Sequence, residues 1–249
     1  MKIVVCIKQV PDTETRIRLS ADKKTIDTTD INWILNPYDE YAVEEALRIK
    51  ENTEDVTITA ITVGPERAVS ALRTALAMGV DEAIRINAED DLDSSATAHL
   101  LAATIKDLEY DLILFGKQAV DDDNLQVGTM VAEMLDLPCV TAVTEVKLEN
   151  AKALLKREIE IGTEVIETSL PAILTAEKGL NEPRYPALRG IMMAKRKPID
   201  VREMKADESK VKITSYEYPP ERKAGKVVGE GVDAVPELVR LLREEAKVI

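Results

Sequence analysis

The stretch whose residue types and spacing speak most directly to chemistry is Gly116-Lys117-Gln118-Ala119-Val120-Asp121-Asp122-Asp123-Asn124-Leu125-Gln126-Val127-Gly128-Thr129. It follows an apolar run ending at Phe115 and precedes a helical pattern through Val131, Met134 and Leu135, so it reads as a strand-to-helix turn. Ligands of open α/β sheets bind at such turns, where backbone amides and the N–H groups of a helix start can receive a phosphate. Neither the P-loop pattern nor GxGxxG occurs in it. The three aspartates are expected to cap amides at the helix start and to meet its positive dipole end. Their charge opposes a phosphate, so in a nucleotide site they face ribose hydroxyls or adenine and leave the phosphate to backbone amides.

Other chemistry finds less support. Cys6 and Cys139 lie far apart with His99 as the single histidine, which assembles neither a disulfide framework nor a zinc or iron–sulfur site; both read as small buried apolar residues. Adenylation or phosphoryl transfer needs a phosphate-gripping glycine loop, or metal-binding acids with a basic clamp, and only the acids are present. No catalytic residue and no metal ligand is proposed. A nucleotide-binding sensor without catalysis is the remaining alternative from another class.

The elements that must position this turn are legible as alternation. Ile3–Ile7, Val56–Val63, Ala83–Ile86 and Asp111–Phe115 read as strands. Apolar residues recur at helical spacing between them: Tyr41 to Ile49, Ala68 to Leu76, and Ala98 to Ile105. Strand–helix alternation predicts a doubly wound α/β fold with a mainly parallel sheet covered by helices, and a strand-end turn of this kind suits a nucleotide. Asn36-Pro37 and Gly64-Pro65 mark helix starts, and Gly79 marks a stop. From Val140 to Leu170 the pattern changes to alternation, predicting an antiparallel pair, and Leu170–Thr175 reads as a further buried strand. Asn181–Pro198, rich in proline and basic residues, reads as a long loop or arm. A tail helix, Val235–Lys247, follows a linker at Gly225–Gly231. The expected division is residues 1–198 as the nucleotide-binding domain, with a loop at 176–198, and residues 199–249 as a C-terminal arm and helix.

Charge and termini narrow the class. A net charge of −13, from 46 acidic and 33 basic residues, repels a polyphosphate backbone and argues against nucleic acid. The apolar run after Met1 is broken by Lys8 and Pro11, too short for a signal peptide or a membrane span, which gives a cytoplasmic expectation and no membrane insertion.

Several separated segments resemble the electron transfer flavoprotein beta family. The turn at Gly116–Gly128 resembles that family's adenine-nucleotide segment, Asn36-Pro37-Tyr38-Asp39 its NP(F/Y)(D/C) turn, and Arg73-Thr74-Ala75-Leu76-Ala77-Met78-Gly79 its RTALAMG helix end. Leu170 to Ala176, Leu180-Asn181-Glu182-Pro183-Arg184-Tyr185 and Ile191 to Lys197 also match, so the resemblance runs from Met1 to about Pro198.

The resemblance implies an electron carrier subunit, not an enzyme, that works with an alpha subunit holding most of the FAD while this chain carries AMP. Carried over, AMP contacts are Cys6 through its backbone, Asn36, Pro37, Tyr38, Asp39, Val63, Gly116, Lys117, Gln118, Ala119, Val120, Asp121, Asp122, Asp123, Asn124, Leu125, Gln126 and Val127. Leu188 aligns with a leucine that anchors acyl-CoA dehydrogenases, and Glu158 with a glutamate that pairs with an alpha-subunit arginine. Implied partners are the alpha subunit, acyl-CoA or related dehydrogenases of fatty acid oxidation, and a quinone oxidoreductase or similar acceptor. Thr13 stands where the family often has an aromatic residue near the flavin, and Met193 where many members have lysine. Bifurcating members with a second FAD usually show D-G-D-T followed by A-Q-V-G-P; Asp121-Asp122-Asp123-Asn124 replaces that pattern here, which favours AMP.

Overall fold

In a computed structural model, which describes residues 1–221 and 224–249, the chain builds one nine-stranded sheet with helices on both faces. Residues 222 and 223, within the expected C-terminal arm, lie outside the described residues. Strand β1 (Lys2–Cys6) is central: its last four residues are all buried, as a strand covered on both faces requires. Chain order continues with a short ribbon, β2 (Gln9–Pro11) and β3 (Trp33–Leu35), then α1 (Pro37–Asn52), β4 (Thr57–Gly64), α2 (Val69–Met78), β5 (Glu82–Asn87), α3 (Ser94–Lys106), β6 (Leu112–Gly116) and α4 (Val127–Leu135). The second half supplies β7 (Cys139–Glu149), β8 (Lys152–Ile159), β9 (Gly162–Ser169), β10 (Ala172–Ala176), α5 (Leu188–Ala194), β11 (Asp200–Glu203) and α6 (Val235–Glu244).

Sheet order is β11-β5-β4-β1-β6-β10-β7-β8-β9. The chain winds outward from β1 through β4 to β5, then restarts on the other side of β1 with β6, so the switch point of a doubly wound sheet lies between β1 and β6. Pleating divides each central strand between two cores. Ile3 and Val5 join Val43, Leu47, Leu72 and Leu76 of α1 and α2 on one face. Val4 and Cys6 join Leu101, Ile105 and Val131 of α3 and α4 on the other.

The limits of β1, β4, β5 and β6 fall within one residue of the sequence expectation and β10 starts two residues later than expected, but three features differ in kind. The expected antiparallel pair is a three-stranded extension: β7 runs parallel to β10 and carries β8 and β9 antiparallel beyond it, continuing the same sheet. Asn150 and Ala151, with φ of 48° and 62°, form the two-residue left-handed turn joining β7 to β8, a turn that Asn-Ala does not advertise. The expected loop at Asn181–Pro198 contains a helix, α5, whose short length hides its period. Residues 200–203, within the expected arm, form β11 and pair in parallel with β5. No helix among the described residues is long and apolar enough to cross a membrane.

Candidate functional site

The switch point is closed by two buried side chains at the start of α1. Pro37 opens that helix, where its missing N–H is no loss, and Asn36 stands at the N-cap. Asn36 is fully buried, yet its side chain does not cap α1. Its Nδ2 donates to the Gln118 carbonyl at 2.8 Å and its Oδ1 accepts the Val120 N–H at 3.1 Å, so the amide fixes the loop after β6 as a neighbouring strand would. Its backbone N–H meets the Lys8 carbonyl at 3.0 Å, tying the exit of β1 to the same point.

Asp39 completes the closure. Its carboxylate accepts the Lys8 N–H at 2.7 Å and the Gly116 N–H at 3.1 Å, one from just past β1 and one from the end of β6. Burial pushes this carboxyl up to about 7, against the two N–H bonds that favour its charge. Cys6, the last residue of β1, is buried, and burial first and the Asp39 charge second push its thiol well above its ordinary value. Cys6 therefore offers this region its backbone and not a nucleophile.

The acidic loop is held from below by Lys8, whose Nζ lies 2.9 Å from Asp121 and 3.1 Å from Asp122. Gln118 donates to Asp123, and the Asp123 N–H returns to the Ala119 carbonyl at 2.9 Å. Lys117 pairs with Glu177 at 2.6 Å and stands 5.7 Å from the centre of the Tyr38 ring. The aspartates therefore do not cap the next helix, contrary to the sequence expectation. They precede α4 by several residues and serve the loop, whereas the cap position is Gln126, which makes no side-chain cap. The first N–H groups of α4 consequently lack a capping side chain. At the D-G-D-T position, Asp122 does not occupy the left-handed region; Asp123 and Leu125 do, at φ 51° and 54°. Residue 122 therefore does not need glycine's backbone freedom.

The structure gathers Cys6, Asn36, Pro37, Tyr38, Asp39 and the loop from Gly116 to Val127 at the C-terminal ends of β1 and β6, with Val63 one strand away near the end of β4. Leu188 and Glu158 lie apart from them. Leu188 opens α5 and is 75 % exposed, while Glu158 is exposed on β8 opposite Thr163. Lys8 was missed by sequence reasoning; the signal available was a lysine two residues past the first strand in a chain with three consecutive acids after β6, two of which it meets. Among the described residues no group of three or more histidines, cysteines and acids could hold a metal ion. The arrangement can bind: it offers a shaped backbone loop, an uncapped helix start and a floor set by two buried polar side chains.

The fold is that of a doubly wound α/β protein with its topological switch point between β1 and β6, the place where open sheets of this kind bind ligands. Residues 23–207 match the electron transfer flavoprotein domain. Across its whole length the chain is 45 % identical to the complete electron transfer flavoprotein subunit beta of Bacillus subtilis (strain 168). It is 42 % identical to that of Syntrophomonas wolfei, over all of this chain and 98 % of the relative, and 40 % identical to that of Mus musculus over 96 % of each. The chain belongs to the electron transfer flavoprotein beta subunit family.

Proposed function

We propose that this chain pairs with an alpha subunit as one half of a heterodimeric electron transfer flavoprotein, binds AMP at the switch-point crevice, and completes the surroundings of an FAD held mainly by the alpha subunit. The observation that carries the AMP assignment is the pairing of Asn36 with the 118–120 main chain beside the uncapped start of α4. A monophosphate would be received there by backbone N–H groups, with Asp121 and Asp122 already paired with Lys8 and Asp123 with Gln118. The contacts would be the backbone at Cys6, Asn36 to Asp39, Val63, and Gly116 to Val127. FAD supplies the electron transfer itself; this chain's residues bind, orient and set the local charge. Electrons would come from acyl-CoA or related dehydrogenases, docking at Leu188, and leave to a quinone oxidoreductase or similar acceptor. Glu158 would face an alpha-subunit arginine. In this reading residues 1–198 are the nucleotide-binding body, residues 199–249 are an arm, and the heterodimer works in the cytoplasm.

Co-expression with the alpha subunit, followed by extraction of cofactors, tests the reading. One FAD and one AMP per heterodimer is the expected result. Two FAD would make the complex a bifurcating carrier, and a colourless chain that binds AMP without an alpha subunit would make it a sensor.

A further inference from the structure

The segment after β10 carries an unusual run of exposed apolar side chains: Tyr185 is 96 % exposed, Leu188 75 %, Met192 60 % and Met193 54 %. A chain of this composition with only seven helical residues has little intrinsic reason to hold one shape. Here it is fastened at both ends.

On the N-terminal side, Arg184 lies against α1. Its Nε and Nη2 donate to the two carboxylate oxygens of Glu44 at 2.8 and 2.9 Å, its backbone N–H donates to Glu44 at 3.2 Å, and Nη1 meets Glu51. The Glu44 side chain is only 6 % exposed, so this is a buried acid whose bidentate partner comes from the segment itself. Asn181, three residues earlier, donates to the Tyr41 carbonyl at 3.0 Å and to Glu45 at 2.9 Å.

On the C-terminal side the segment lies against α2. Arg73 donates to the carbonyls of Ala194 and Lys197, capping the end of α5, and Lys197 returns a bond to the Val80 carbonyl at 2.7 Å. Gly190 lets α5 sit directly on α2, since a Cβ there would lie 2.4 Å from the Ala77 carbonyl oxygen. Ala194 is buried in the core beyond it.

We infer that Arg184 is a positioning residue: seated on Glu44, it holds the apolar face around Leu188 already in the shape in which a partner protein meets it. The inference rests on the docking role proposed above for Leu188. Its physical content is preorganisation, because a face fixed before encounter loses no further conformational freedom on binding. Arg184 itself need not touch the partner.

The test uses the purified heterodimer, with hydrogen exchange of the Leu188–Ala194 amides and reduction by an acyl-CoA dehydrogenase as readouts. Arg184→Ala should speed exchange in α5 about tenfold or more. It should also raise KM for the dehydrogenase while leaving kcat, FAD content and the flavin spectrum unchanged; Arg184→Lys should recover part of both effects. Because Arg184→Ala strands a buried acid, the double variant Glu44→Gln/Arg184→Gln provides a second measure and should show the same loosening. Unchanged exchange and KM in both variants, with Leu188→Ala still raising KM, would overturn the positioning role and leave the docking reading standing. Loosened α5 amides with no change in KM for any variant, Leu188→Ala included, would remove the docking reading and the positioning role with it.

Discussion

Gly116 and Asp39 approach so closely that no side chain fits on Gly116: a Cβ there would lie 2.3 Å from Asp39 Oδ1 and 2.7 Å from the Asp39 backbone nitrogen. The closeness lets the end of β6 donate its N–H to the carboxylate and brings the start of α1 onto the switch point. A methyl group there meets backbone as well as a side chain, so rotamer changes cannot relieve it. Gly116→Ala is therefore expected to destabilise the heterodimer by about 3 kcal/mol in urea unfolding and to lower its nucleotide content. A stability within about 0.5 kcal/mol of wild type would show that the contact is slack.

Asn36 offers a more local perturbation. Asn36→Ala leaves the Val120 N–H and the Gln118 carbonyl without their partner, at a cost of about 1–3 kcal/mol. Asn36→Asp keeps an acceptor for Val120 but sets a carboxylate oxygen against the Gln118 carbonyl. Both variants should lose nucleotide while retaining FAD in the heterodimer. Retention of full nucleotide by both would detach this side chain from the site.

The Asp39 carboxyl makes stability depend on pH in a direction opposite to that of an ordinary paired acid. Its folded value, about 7, lies above the ordinary 3.8. Between those values the folded protein keeps a proton that the unfolded chain has released, so the contribution is complete below about pH 4 and is lost as pH rises through 7. From pH 5 to pH 8 the loss amounts to roughly 2.5 kcal/mol. Unfolding of wild type and Asp39→Asn at the two pH values isolates it, since Glu40 and Glu45, also raised by burial, are common to both proteins. The wild-type advantage over the variant should shrink toward pH 8. An advantage that grows would mean the N–H bonds from Lys8 and Gly116 outweigh burial.

Gly128 probes the other wall of the crevice. Its Cβ would lie 3.2 Å from Thr175 Cγ2 and 3.4 Å from Phe115 Cγ, so the first turn of α4 rests on the ends of β10 and β6. The branched side chain of Gly128→Val should push that turn outward and cost about tenfold in nucleotide affinity, measured by equilibrium binding to heterodimer stripped of nucleotide. Wild-type affinity would place the ligand away from α4.

How much of this could be read from the chain depended on what each signal recorded. The strands around the switch point announced themselves because both faces are covered, which forces continuous apolar runs such as Ile3-Val4-Val5. The turn after Phe115 was legible because its position between a strand and a helix is a property of order along the chain. What escaped depends on contacts across it. Asn36 looks like a helix cap in sequence and is diverted to residues 118 and 120 by packing. The three aspartates look like caps and instead serve Lys8 and Gln118. Helix α5 owes its place to Arg73 and Gly190, which no periodicity within residues 181–198 reveals.

Lys8 provides the last expectation, and the magnitudes separate its two roles. Its side chain is 43 % exposed and its ammonium pairs with Asp121 and Asp122, so its contribution to global stability should be small, about 0.5–1 kcal/mol. Its effect on the loop should be larger than that figure implies, because without it adjacent carboxylates repel beside the start of α4, where the proposed site would receive an anion. Lys8→Met should therefore leave urea unfolding nearly unchanged yet weaken nucleotide binding, with the deficit greatest at low ionic strength and shrinking as salt screens the acids. Titrating AMP into stripped heterodimer at 0.02 and 0.5 M salt, both chosen as order-of-magnitude extremes of screening, reads this directly. A deficit that stays constant with salt would mean that Lys8 acts by tethering Asp121 and Asp122 and so fixing the loop's shape, and not by neutralising its charge.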